Sequence, residues 1–180
     1  MSDLNELLDR NHSFAASFAL GHLLIHPRMS ITVLTCLDAR MDPAYFLGLE
    51  LGDALVLRNA GGRVSPDVER DLALLWFFAI LFAEGGTPHL ELAIVHHTDC
   101  GVERLANPDV RRAVHREVGL AESLLEQMAI SDHEASLRDD IERLRQSPIV
   151  PDGLVVSGHI YDVKNGKLRQ VFAPAPLSEK

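Results

Sequence analysis

Cysteine is scarce in this chain, with two in 180 residues, and tryptophan scarcer still, with one. A pair of cysteines is too few for the disulfide framework of a small secreted domain, so metal ligation or plain burial must account for them. Basic residues are also in deficit: 17 Lys and Arg stand against 26 Asp and Glu, a net charge of -9. That balance, with no run of Lys or Arg, excludes a sequence-independent nucleic-acid binder, which needs a basic surface. Long apolar runs are missing as well. The longest, Leu72 to Ala83, is twelve residues, short of the ~20 that span a bilayer and suited to a buried helix. The first residues, Met1 to Glu6, are acidic and lack the basic and apolar regions of a secretory signal, so a cytoplasmic location is expected.

What is present suits one globular domain over residues 1–180: 47% of residues are hydrophobic and 24% charged, in proportions that sustain a core. Residues 3 to 25 carry leucines and phenylalanines at helical spacing until Pro27, giving a helical arm over 1–27 that packs on the domain or on a partner subunit. Ile31 to Leu37, Ala54 to Leu57, Leu90 to Val95 and Leu154 to Val163 read as strands. The first lacks clean alternation, as a strand covered on both faces does. Between them, Asp42-Pro43, Ser65-Pro66-Asp67 and Asn107-Pro108-Asp109 each place a capping side chain before a proline at the first helical position. Ser131 to Glu134 has capping-box spacing, and Asn165-Gly166 signals a hairpin toward Leu168 to Phe172. The tail, Ala173 to Pro176, reads as irregular. The fold class is therefore α/β, a central, mostly parallel sheet flanked by helices, with the arm at one end and the hairpin at the other. The helix through Trp76 to Phe82 is apolar nearly all round, which asks for cover from the sheet and from another subunit.

Polar side chains gather where strands end. Cys36, Asp38 and Arg40 follow the first strand and, were the chain extended there, would share one face. Gly61 and Gly62 follow the second and allow a tight turn. His97-Thr98-Asp99-Cys100 follows the third. In parallel sheets ligands bind beyond the carboxyl ends of the strands, where connections diverge, and all three stretches fall there. Cys36, His97 and Cys100 form a Cys2His set that zinc accepts, leaving one tetrahedral position for water; bound zinc brings the pKa of such water to about 7. Asp38, kept ionised by Arg40, would accept a hydrogen bond from the nucleophile. Other readings stand beside this one. A cysteine ending a buried strand is often simply a small apolar residue, Asp38 and Arg40 suit a surface pair, and Asp38 or His96 could close the site as a fourth ligand. The remaining histidines, His12, His22, His26, His89, His115, His133 and His159, lack a partner pattern, although His22 and His26 would share a helical face.

Cys36-Leu37-Asp38-Ala39-Arg40, Arg58-Asn59-Ala60-Gly61-Gly62 and His97-Thr98-Asp99-Cys100-Gly101, in this order, resemble the β-class carbonic anhydrases. The resemblance implies a zinc enzyme acting on carbon dioxide and bicarbonate, with Cys36, His97 and Cys100 as ligands and Asp38 with Arg40 as a catalytic dyad. It implies that Ala60, Gly61 and Gly62 line the substrate pocket, and that the chain forms a homodimer or a dimer of dimers. Most members have Gly before the zinc histidine. His96 here is similar to the subclass that includes carbonyl sulfide and carbon disulfide hydrolases. Those substrates are linear and apolar as carbon dioxide is, so the ligand set does not choose among them. A zinc-stabilised interaction module without turnover is the reading from another class, and the dyad argues against it.

Overall fold

The computed structural model describes residues 2–178. Five strands form one sheet in the order β2-β1-β3-β4-β5: β1 (Ile31–Cys36), β2 (Leu55–Asn59), β3 (Glu91–His97), β4 (Val155–Tyr161) and β5 (Leu168–Pro176). The first four run parallel and β5 returns antiparallel to β4. β1 and β3 lie inside the sheet and are buried on both faces after their first residue, which is why their sequences run apolar without alternating.

Helices α1 (Asp3–Ala16), α2 (Pro43–Phe46), α3 (Pro66–Phe82), α4 (Pro108–Val118), α5 (Glu122–Met128) and α6 (His133–Gln146) complete the chain. The three caps before prolines form as their chemistry requires: Asp42, Ser65 and Asn107 accept backbone N–H groups of Ala44, Val68 and Asp109. One face of the sheet packs Leu34, Leu92, Ile94 and Val156 against Leu72 of α3 and Leu137, Ile141 and Leu144 of α6. Arg143 of α6 donates to Glu69 of α3, and Ser147 Oγ donates to the same carboxylate at 2.9 Å, tying the two helices together.

Five expectations change. The arm is helical only to Ala16, where Ser17 caps the end through its backbone N–H on Ala15 and Phe14. Gly21, a poor helix former, sits in the run that follows, so His22 and His26 do not share a helical face. α6 starts from Asp132, whose side chain accepts the Ala135 N–H at 2.7 Å, in place of a box begun by Ser131. The tail Ala173 to Pro176 belongs to β5, with Ala175 paired to Val156 and Pro176 to Val155. Prolines are tolerated there because an edge strand leaves alternate N–H groups without a ladder partner.

Strand β1 also stops at Cys36, so Asp38 and Arg40 lie in a turn and not along an extended ledge. The turn closes through Met41 N–H donating to the Asp38 carbonyl at 2.9 Å. After β2 the chain makes a short 3-10 turn over Ala60–Gly62. Asn59 closes it with both ends of its amide, donating to the Arg63 carbonyl at 2.7 Å and accepting the Arg63 N–H at 2.9 Å. Gly62 has φ +65°, and a Cβ there would stand 2.9 Å from the Thr35 carbonyl carbon and 3.0 Å from Cys36 N. Backbone meets backbone at that point, and only glycine permits it. We expect Gly62→Ala to destabilise the fold by about 2 kcal/mol or more, from strain at positive φ plus the clash. A lowered urea midpoint at unchanged m-value checks this.

Candidate metal centre

The carboxyl ends of β1 and β3 carry the polar cluster. Register sets it: Thr35 pairs with Val95, so β3 runs one residue past the end of β1 and His97 stands one position beyond the level of Cys36, at the same edge of the sheet. The loop after His97 turns back at Asp99, a non-glycine residue at φ 58°, a conformation that Asp adopts more readily than most residues. This delivers Cys100. The donor atoms of Cys36, His97 and Cys100 lie within 4.8 Å of one another, and all three residues are buried.

Two observations test whether this set suits a metal. The sulfurs of Cys36 and Cys100 are 3.8 Å apart, and two thiolates ~2.3 Å from a tetrahedral zinc would stand roughly 3.8 Å apart. His97 donates from Nδ1 to the Thr98 carbonyl at 3.0 Å, which fixes the ring, while its Nε2 is buried without a hydrogen-bond partner. Buried polar atoms are ordinarily satisfied, so a lone pair left over beside two sulfurs has the chemistry of a ligand. The electrostatics agree. The Cys100 thiol beside it lowers Cys36 to about 4, against burial and with help from His97 and the N–H groups of Asp38 and Gly61. The same contact with Cys36, together with burial, pushes Cys100 upward. One proton is thus shared by the two sulfurs, and a divalent cation would replace it. Burial pulls His97 down, but the adjacent Cys36 sulfur and the charge it carries raise it overall.

Asp38 stands outside this set, its Oδ2 3.9 Å from His97 Nε2. Both its oxygens are taken by Arg40, which donates Nε to Oδ1 at 2.9 Å and Nη2 to Oδ2 at 2.7 Å. The Arg40 backbone N–H adds a third bond to Oδ1 at 2.9 Å. Arg40 is held in turn by Asp99, through Oδ2 at 2.9 Å and the carbonyl at 3.0 Å. A bidentate, charge-assisted pair of this kind fixes geometry as well as charge, and Asp38 is kept well below the ordinary carboxylate range by its hydrogen bonds to Arg40.

Gly61 and Gly62 are buried against the cluster, whereas Ala60 also lines a cleft of about 590 Å³ on the side of α5 and α6. His96 faces away from the cluster. Its Nε2 donates to Asp140 of α6 at 3.2 Å, and burial holds it below its ordinary pKa, so it is a neutral core residue and neither a fourth ligand nor a surface shuttle.

Several contributing residues are silent in the sequence. Arg58 donates to the carbonyls of Cys36 at 3.0 Å and Asp38 at 2.8 Å, clamping the first loop; its place beside Asn59 and the paired glycines was the available signal. Arg63 donates Nε to both oxygens of Asp140, at 3.1 and 2.9 Å, and Val64 N–H joins them at 3.2 Å. Glu103 accepts the Cys100 N–H at 3.0 Å and a bond from His133, also at 3.0 Å. Nothing local announces these pairings.

A carboxyl whose folded pKa is depressed stabilises the fold above its unfolded value, near 3.9, and loses that contribution as pH falls through the folded value. The stability advantage of the native chain over Asp38→Asn is therefore expected to be constant from pH 5 to 8 and to shrink below about pH 4. Urea melts of both across that range check it; shrinkage already at pH 6 would mean that Arg40 does not hold the charge.

The sequence model of the carbonic anhydrase family matches residues 31–168. β-Carbonic anhydrase 1 of Mycobacterium tuberculosis is 32% identical over 171 residues, covering 95% of this chain and 99% of its own. A carbon disulfide hydrolase of an Acidianus species is 30% identical over 162 residues, covering 77% of this chain and 75% of its own. Among solved structures, a carbonic anhydrase from Streptococcus mutans superposes with a TM-score of 0.79 at 35% identity, covering 95% of this chain and 98% of the other. The parallel sheet, the cluster at its carboxyl edge and these likenesses agree, and the chain belongs to the β-carbonic anhydrase family.

Proposed function

We propose that the chain catalyses the reversible hydration of carbon dioxide to bicarbonate and a proton, with one zinc ion held by Cys36, His97 and Cys100. The observation that carries this reading is the buried, unpartnered Nε2 of His97 beside two sulfurs, with an ionised carboxylate 3.9 Å away. Zinc, when bound, supplies the Lewis acidity that makes water deprotonate near neutral pH. Asp38 accepts a hydrogen bond from the attacking group and so orients it toward the carbon. With Arg40 on both carboxylate oxygens, Asp38 stays an acceptor and does not take the proton itself. Arg40 and Asp99 preserve that geometry. Gly61 and Gly62 present backbone without side chains, so a small linear molecule can approach.

The relative named as a carbon disulfide hydrolase, together with the paired His96 and His97, favours a second reading on the same residues. This is the hydrolysis of carbonyl sulfide, which with one water gives hydrogen sulfide and carbon dioxide.

The assembly proposed is a homodimer or a dimer of dimers. In the single chain Phe77 and Leu81 of α3 are 53% and 55% exposed, and Leu4 and Leu7 of α1 are 63% and 57% exposed. Exposed apolar side chains spaced along one helix in this way suit a contact between subunits. A cytoplasmic setting suits the two free thiols, and among the described residues no helix is long and apolar enough to cross a membrane.

Stopped-flow carbon dioxide hydration and sulfide release from carbonyl sulfide, measured on one preparation, should show the first activity dominant. Sulfide release alone would select the second reading, and neither would leave a non-catalytic metal module. Asp38→Ala should keep its zinc and lose roughly 100-fold or more in turnover; full activity in that variant would remove the role assigned to Asp38. In sedimentation the protein should run at twice its 19.9 kDa chain mass or a multiple of that, with Phe77→Glu shifting it toward monomer. A monomeric native protein would contradict the assembly.

A further inference from the structure

Behind the donor cluster, on the other side of β3, runs a second set of polar groups that the proposed reaction does not use. Two of them come from α6, His133 and Asp140, seven residues and about two helical turns apart, so they project from one face. His133 donates to Glu103, and the same Glu103 oxygen accepts the N–H of Cys100. Asp140 receives His96, the neighbour of His97, and also Arg63 and the Val64 N–H, which follow the glycine turn. The His96 and His133 rings meet edge to face with centroids 6.0 Å apart. Asp140 and His96 have side chains only 3% and 0% exposed, so their partners are set by the fold and not exchanged with water.

We propose that α6 is the positioning element of the metal centre, with His133 and Asp140 holding both ends of the segment His96–Cys100 from behind and so fixing the spacing of its two donors. The segment needs such support. It carries a left-handed residue, Asp99, and Cys100 follows it as the N-cap of a 3-10 turn, its N–H held by the carboxylate of Glu103 in the first turn. A strained loop returns to its own preferences unless its surroundings hold it. Glu103 and His133 restrain the far end through the Cys100 backbone, and Asp140 restrains the near end through His96. Because Asp140 also grips Arg63, the glycine turn beside Cys36 is tied to the same helix.

The inference rests on the assignment of Cys36, His97 and Cys100 as ligands, and its test reads metal binding and not turnover. Zinc affinity is measured by competition with a chromogenic chelator, and ligand geometry by the visible absorption of the cobalt-substituted protein. Glu103→Ala, His133→Ala and Asp140→Asn should each weaken zinc binding roughly 10–100-fold, as loss of groups supporting metal ligands does, and should shift the cobalt bands. Glu103→Gln keeps an acceptor for the Cys100 N–H and should recover most of the affinity. Glu69→Ala is the control: it cuts the other tether of α6, to Arg143 and Ser147, and should lower stability while leaving affinity and spectrum unchanged. Native affinity and spectrum in Glu103→Ala and His133→Ala would overturn the proposal, whatever Asp140→Asn does to folding. An equal loss in Glu69→Ala would overturn it too, by making the effect one of general stability. A native chain that binds no zinc would instead sink the ligand assignment itself.

Discussion

Parallel pairing of β1 with β3 is the constraint on which the rest of the site depends. Thr35 lies opposite Val95, so the two strands end within one residue of each other and bring the Cys36 thiol and the His97 imidazole to the same edge. A slip of one residue would turn every side chain of β1 to the opposite face of the sheet, placing Leu37 where Cys36 now stands. Because both strands are covered on both faces, register is enforced by the whole apolar core and not by the few polar bonds at the edge. The chemistry is mounted on two buried interior strands, while the loops that complete it are short and cross-tied.

Those ties are electrostatic and graded. At the mouth, Arg40 holds Asp38 and is itself half exposed, so its contribution is orientation and a fixed charge more than stability. Deeper, Arg63, Asp140 and His96 are almost free of solvent, and removing one partner there would strand a buried charge. Between the two layers lie the donor residues. In the proposed reaction the arrangement would separate duties: the exposed pair would keep an acceptor pointed at the reacting groups, and the buried chain would hold the backbone beneath it.

Much of this was legible in the residues, and the parts that were not have physical reasons. Strands, proline-led caps and the glycine turn depend on neighbours a few positions away, and they appear where local chemistry puts them. The donor set was legible because the chain has only two cysteines, and both stood at or just past strand ends, one of them three residues from His97. Asp38 and Arg40 were rightly grouped but for the wrong reason: a turn, closed by Asp38 accepting the Arg40 N–H, brings them together, and not the alternation of a strand. Asp140 and His133 were illegible because a charged residue on a charged helix reads as a solvated face, and their partners are 30 or more positions away in the chain; Glu103 is only three positions from Cys100, but in a short 3-10 turn. The open apolar face of α3 lies between these cases, since its composition asked for cover that a single chain does not contain.

The central claim is that two cysteine sulfurs and one imidazole hold one zinc, with an oxygen in the fourth place. X-ray absorption at the zinc edge of the purified protein reads this directly. The account predicts one zinc per chain with two sulfurs at ~2.3 Å and two lighter atoms near 2.0–2.1 Å, one of them an imidazole nitrogen, and one sulfur fewer in Cys36→Ser. A single sulfur in the native protein, a second imidazole in place of the oxygen, or no zinc at all would contradict it.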